Sequence, residues 1–314
     1  MGPGIQPQFK TAAEVLGPWR NSLLTGTPPV LYPIGTGELA RVEVGPGLVT
    51  LIGGPPGAGK TAFTMQAAVD ALRLTPTLRA CVCNVEMPPE VLLDRQLARL
   101  SGIDLKNIRY RQLGREHDSR IEDALATLES VADRLCFVRP PFDLGTVART
   151  VDDFRADLIV LDYIQRIAPP KRPGKPEDRR GSIDATMDYL RQFADAGMAV
   201  AVVSALARTK DNQGRSSYAG DGLSLASFRE SSELEFGADD AFLLVPDSKD
   251  PGRVTLRHLK ARYSEPKNLV LSFDRRRQSF TVPLHAAGGP VSPGELTELW
   301  DKTPPAGAGE TEEG

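Results

Sequence analysis

Short apolar, β-branched runs alternate along this chain with longer segments whose apolar residues recur at helical spacing. The runs are Leu48–Ile52, Ala80–Val85, Leu135–Val138, Leu158–Leu161 and Met198–Ser204. Between them lie Thr61–Leu74, Glu90–Leu100, Ser119–Asp133, Leu144–Phe154 and Ser182–Ala196. Strands that are apolar throughout and separated by helices predict an α/β fold with a mostly parallel central sheet and helices on both faces. The pattern changes after Ala241–Val245. Arg253–Leu259 and Asn268–Phe273 alternate apolar and polar residues around a turn near Pro266, which predicts an antiparallel edge hairpin.

The two ends read differently from the middle. Residues 1–36 are rich in proline and glycine around one helix-like piece, Thr11–Leu24, and are expected to form an arm or linker. Residues 37–285 read as one domain. Residues 286–314 are dominated by glycine, proline and acids, and are expected to be disordered apart from a short helix at Pro293–Trp300. No internal repeat interrupts the pattern.

Composition narrows the function without naming it. The formal charge is −3, and residues 301–314 hold four acids and one lysine, so the remaining 300 residues are neutral overall. Any binding of nucleic acid must therefore come from local basic patches. No apolar run reaches membrane-spanning length, and the start Met-Gly-Pro-Gly-Ile-Gln-Pro lacks the features of a secretory signal; a cytoplasmic location is expected. Cys81, Cys83 and Cys136 lie in apolar runs, which favours buried strand positions over a metal site.

The candidate chemistry starts at the end of the first strand. Gly54-Pro55-Pro56-Gly57-Ala58-Gly59-Lys60-Thr61 is a phosphate-binding loop of the GxxxxGK[ST] type, followed at once by a helical segment. The glycines let successive backbone N–H groups turn inward onto phosphate oxygens, and the helix N-terminus favours anionic charge. Lys60 is placed to reach the terminal phosphates, and the Thr61 hydroxyl is the expected magnesium ligand. ATP with Mg2+ is the expected pair of cofactors. An acid on a neighbouring strand should support the metal, and Asp162 ends the apolar run Leu158–Leu161 at the edge where ligands of parallel sheets sit. Glu86 ends another strand and is the candidate base for the attacking water.

Five ordered blocks carry a resemblance. Asn84-Val85-Glu86-Met87 with Leu92, Arg95 and Gln96 resembles the "SLEM…R" block of the DnaB-type replicative helicases, and Asp162-Tyr163-Ile164-Gln165 resembles their "DYLQ" strand. Ser204-Ala205-Leu206-Ala207-Arg208 stands where that family carries "SQLNR". Residues 228–235 with Ala238-Asp239 resemble "LRESGAIEQDAD", and Lys260-Ala261-Arg262 resembles the "KxR" element. The blocks span residues 36–282. They imply a RecA-like ATPase core in which Lys60 and Thr61 hold phosphate and magnesium, Glu86 activates water and Asp162 supports the metal. They further imply that Lys260 and Arg262 reach the γ-phosphate bound by the next subunit, where a cation stabilises transition-state charge. Such motors are rings, and a hexamer is the implied assembly.

Two departures stand out. The family's glutamine after the serine is Ala205 here, and the asparagine two places on is Ala207. Alanine cannot donate a hydrogen bond to phosphate; Gln165 is a candidate substitute, although nothing in the sequence shows that it acts as one. The family's usual N-terminal helical domain has no counterpart in the 36 residues that precede the core.

Two basic loops follow strands of the sheet, where the family's DNA-facing loops begin. One carries Lys171, Arg172, Lys175, Arg179 and Arg180; the other carries Arg208, Lys210 and Arg215. Lysine and arginine among glycine and serine suit tracking of a single-stranded DNA backbone without base readout. The leading expectation is an ATP-driven helicase-type motor on single-stranded DNA. A RecA/RadA- or KaiC-like ATPase that controls assembly without unwinding is the alternative. A third reading is a loader or mobile-element accessory protein whose ATPase serves partner recruitment; a loader or other replication or mobile-element protein is the expected protein partner.

Overall fold

The computed structural model describes residues 9–169, 179–206, 209–210, 216–217, 223–228 and 237–283. The chain divides into two compact units, Met1–Leu31 and Tyr32–Gly314. Among its described residues the first contains one helix, α1 (Ala12–Thr25). Thr11 caps it by accepting from Glu14 N, and the Glu14 side chain accepts from Thr11 N in return, which satisfies two otherwise orphaned donors. Gly26 ends it in the left-handed region at φ +64°. Val15, Leu16, Trp19, Leu23 and Leu24 are exposed.

The second unit holds a nine-stranded sheet in the order β11-β10-β9-β8-β1-β5-β4-β2-β3. Its parallel part comprises β1 (Val49–Gly53), β2 (Ala80–Asn84), β3 (Leu135–Phe137), β4 (Leu158–Asp162), β5 (Ala199–Val203) and β8 (Asp240–Pro246). Five of these are buried on both faces over most of their length, which explains their unbroken apolar character. Alternation still sorts the side chains. Val49, Leu51, Cys81 and Cys83 pack toward α6 (Leu144–Phe154) and α7 (Arg179–Asp195). Ile52, Ala80 and Val82 pack on the other face with α2 (Lys60–Leu74) and Leu92 of α3 (Pro89–Ser101). Tyr32 and Ile34, within the segment read as an arm, join this second cluster.

After β1 the chain re-enters the sheet three strands away at β2, and β5 and β4 fill the gap. The carboxyl ends of β1, β4 and β2 therefore face one crevice, the position that binds ligands in open α/β sheets. The antiparallel edge is larger than the expected hairpin. β9 (Arg253–Ala261) pairs with β8, β10 (Leu269–Asp274) pairs with β9, and β11 (Ser279–Thr281) closes the edge. His258 of β9 stacks on Phe242 at 4.2 Å, and its Nε2 lies 2.9 Å from Asp240 Oδ1.

Helices α2 and α3 are joined by a polar contact. Arg99 Nη1 donates to both carboxylate oxygens of Asp70 at 3.0 Å, and both side chains are largely buried. Beyond α3, the short α4 (Leu105–Arg109) and then α5 (Asp118–Ala132) complete this face. No helix among the described residues is long and apolar enough to cross a membrane.

Candidate nucleotide-binding site

The loop from Gly54 to Gly59 joins β1 directly to α2. Gly59 has φ +88°, and a Cβ there would meet the rings of Phe273 and Phe280 at 2.8 Å. Glycine is thus required twice over, by backbone conformation and by the close approach of the antiparallel edge. Gly57, at φ +78°, makes the outer bend. The eight loop positions divide the work. Ala58 is buried in the core, while Gly54 and Pro55 offer carbonyls that accept from Lys60 Nζ at 2.8 and 3.2 Å. Pro56, Gly57, Gly59, Lys60 and Thr61 line an open cavity of about 500 Å³, large enough for a nucleotide.

Glu86, Asp162, Arg95 and Ala205 line the same cavity, so four separate segments converge on the phosphate loop. Asp162 closes β4 and lies opposite Asn84 of β2. Asn84 Nδ2 donates to Asp162 Oδ2 at 2.9 Å, and Asn84 Oδ1 accepts from Glu86 N and Met87 N. One buried amide thereby orients both candidate carboxylate positions.

The electrostatics fit a cation and a polyanion. Burial pushes the Asp162 carboxyl above its ordinary range, against the Thr61 hydroxyl and the Lys60 ammonium, which favour the charged form. Burial likewise lowers the Lys60 ammonium, although Asp162 and Glu86 pull it back. A carboxylate held against its desolvation cost beside a hydroxyl is a hard-oxygen donor set that suits Mg2+. Phosphate oxygens would replace the Gly54 and Pro55 carbonyls as partners of Lys60.

Sequence reading gave Arg95 no role, yet it enters the cavity from α3 and its Nε is buried without a hydrogen-bond partner. Burial lowers its guanidinium, and Asp162 opposes that shift. The available signal was helix register, since Leu92, Arg95 and Gln96 fall on one face of α3. Phe273, Arg275 and Gln278 also line the cavity, and Arg275 Nη1 donates to Gly57 O at 2.8 Å. Gln165, the candidate substitute for the missing glutamine, is engaged by neighbouring residues. Its amide donates to Ser204 Oγ at 2.8 Å and accepts from Ala205 N at 3.1 Å, tying the end of β4 to the end of β5.

Lys260 and Arg262 lie elsewhere. Ala261 pairs with Asp240, which pairs with Thr50 near the start of β1, whereas the phosphate loop leaves the end of that strand. The separation along the sheet is roughly 13 Å at 3.3 Å per residue. Lys260 Nζ donates to Ala238 O at 2.7 Å, and Arg262 Nη1 lies 2.6 Å from Asp239 Oδ1.

Of the basic residues expected to face DNA, Lys171, Arg172, Lys175, Arg208 and Arg215 lie outside the described residues. Arg179 and Arg180 open α7 instead of closing a loop, because helical structure starts there. Lys210 lies in a two-residue strand, β6 (Thr209–Lys210), paired antiparallel with β7 (Ser216–Ser217). The side chains of these three residues also lie outside the described set.

A probable plasmid replicative DNA helicase of Chlamydia trachomatis serovar L2 is 24% identical over 258 residues, covering 80% of this chain and 54% of the relative. The same figures hold for the protein of the same name from Chlamydia trachomatis without a stated serovar. The chain thus spans about half the length of the curated relatives it matches. A solved ATPase domain superposes with a TM-score of 0.73 at 19% identity, over 88% of this chain and all of the other. A structure described as a DnaB-like replicative helicase and its interactions with primase gives 0.71 at 19% identity, over 88% of this chain and 68% of the other. Residues 43–282 match the DnaB-like helicase C terminal domain, and the chain belongs to that family.

Proposed function

We propose that this protein is a magnesium-dependent ATPase of the helicase-motor type, which hydrolyses ATP between subunits of a ring and moves along single-stranded DNA. The supporting observation is the split between two sets of residues. Lys60, Thr61, Glu86 and Asp162 converge on one cavity, while Arg262 stands at the opposite edge of the same sheet. An arginine so placed is remote from the phosphate loop of its own chain and available to that of another copy.

In this reading the loop amides and Lys60 bind and orient the triphosphate. Glu86 accepts the proton of the attacking water, and Asn84 holds Glu86 and Asp162 in register. Thr61 and Asp162 would hold Mg2+, which neutralises charge on the phosphates when bound. Arg262 and Lys260 of an adjoining copy supply positive charge to the departing γ-phosphoryl group. The exposed apolar residues of α1 would dock on a neighbouring subunit, and the basic segments after β4 and β5 would contact the DNA backbone.

One observation favours the alternative in which nucleotide controls assembly without strand separation. Ala205 puts a methyl group in the cavity at the position where the family carries glutamine, leaving no side-chain donor there to register the γ-phosphate. Two assays separate the readings. ATP turnover should rise with single-stranded DNA, and a forked duplex should be unwound with ATP. Assembly and turnover without unwinding would select the alternative, and no ATP turnover under any condition would overturn both.

A further inference from the structure

Asp239 lies at the foot of β8 and is fully buried. Its Oδ2 accepts from Val49 N at 2.7 Å and from Arg191 Nη1 at 2.7 Å. Its Oδ1 makes a close ion contact with Arg262 Nη1 at 2.6 Å, without the alignment of a hydrogen bond. One carboxylate therefore faces two guanidinium groups. They differ in what else holds them. Arg191 also donates to Gly47 O at 2.6 Å and to Asp195 at 3.1 Å, so it is fixed on three sides. Arg262 is 40% exposed, and among the described residues Asp239 is its one ion-pair partner.

We propose that Asp239 is a positioning residue for Arg262, holding one edge of the guanidinium so that the other edge is presented outward to the triphosphate bound by a second copy of the chain. The inference rests on the reading of Arg262 as a group that acts across an interface. Its physical basis is the planar five-donor fork of arginine, which can bind a carboxylate on one side and a phosphate on the other. A long side chain already anchored loses less freedom when it engages its target. Arg191 keeps the carboxylate from being neutralised by Arg262 alone, so the outward edge keeps its positive character. The anchor is also rigid, since Val49 donates to the Asp239 side chain and accepts from Asp239 N at 2.8 Å. Val49 begins the strand whose far end carries the phosphate loop.

The test is Asp239→Asn, measured as steady-state ATPase alone and mixed with Glu86→Gln subunits, with Arg262→Ala as the parallel control. The expected result is a kcat lower by on the order of 10- to 100-fold, the loss typical of a misplaced catalytic group, with KM for ATP unchanged. Activity should return on mixing, because Glu86→Gln subunits bring an intact Asp239–Arg262 pair to the sound phosphate loop of the variant. If mixing rescues Arg262→Ala but not Asp239→Asn, the inference is overturned. If it rescues neither, the cross-interface reading falls and takes the inference with it. Should Asp239→Asn fail to fold, nitrogen-15 arginine NMR of the wild-type protein decides, with Arg262 identified by its loss in Arg262→Lys. Hindered rotation and resolved Nη signals are expected, and a single averaged signal overturns the proposal.

Discussion

Asn84 and Asp162, opposite one another on neighbouring parallel strands, are joined by a 2.9 Å hydrogen bond from Asn84 Nδ2 to Asp162 Oδ2. The other end of the same amide accepts from the backbone of Glu86 and Met87. The metal-side carboxylate and the candidate base are thus tied together by one side chain that does not itself line the cavity.

Removing that amide separates positioning from binding. Asn84→Ala should leave ATP affinity near wild type, because Lys60 and the loop amides are intact. It should raise the Mg2+ concentration needed for half-maximal turnover by several-fold and lower kcat. Loss of a buried hydrogen bond should also cost about 1–3 kcal/mol in urea unfolding. A magnesium titration of ATPase activity checks the first effect, and an unchanged half-saturation point would count against the role given to Asn84.

Asp162 carries a stability cost. Its carboxyl is raised above the ordinary value of 3.8 chiefly by burial, so the folded state takes up its proton more readily than the unfolded chain. Stability from this group is present below pH 3.8 and is lost as pH rises through the folded pKa. Asp162→Asn cannot titrate and escapes that loss. Without nucleotide or Mg2+, the variant should melt above wild type at pH 7, and the difference should shrink as pH falls toward 3.8. ATPase activity should vanish at the same time. Melting curves across pH would contradict this account if the variant were the less stable at neutral pH.

The Asp70–Arg99 pair makes a prediction remote from the cavity. Arg99→Ala would leave a largely buried carboxylate without its bidentate partner, a loss of about 3–5 kcal/mol for a pair broken on one side. Arg73, 3.2 Å from Asp70, should hold the effect near the lower figure. The double variant Asp70→Asn, Arg99→Met should recover most of it. Urea midpoints for the wild type and the two variants test the claim, and equal destabilisation in the single and double variants would refute it.

How much of this was legible in sequence depends on how far each residue's partners lie along the chain. The loop from Gly54 to Thr61, Glu86 and Asp162 all sit at the ends of apolar runs, so their convergence follows from parallel topology alone. Asn84 and Arg95 were visible as letters in a motif, but their contacts depend on strand register and helix rotation. β11 escaped notice because three residues with one buried side chain, Phe280, leave no periodic trace. Asp239 is a further case, because one of its partners lies 190 positions away at Val49. The family's glutamine was plainly missing from sequence. Only the folded structure reveals that Gln165 is already engaged by Ser204 and Ala205.

The central claim is that each hydrolytic site is shared between two copies of the chain. The most direct test mixes Glu86→Gln with Arg262→Ala and measures ATP turnover over a range of ratios. Each variant alone should be almost inactive, since a lost base costs on the order of 10²–10⁴ in rate and a lost cross-interface arginine 10³–10⁵. The mixture should recover activity that peaks near equal proportions, because some interfaces then pair an intact Glu86 with an intact Arg262. Turnover that stays at the level of the separate variants at every ratio would contradict a shared site.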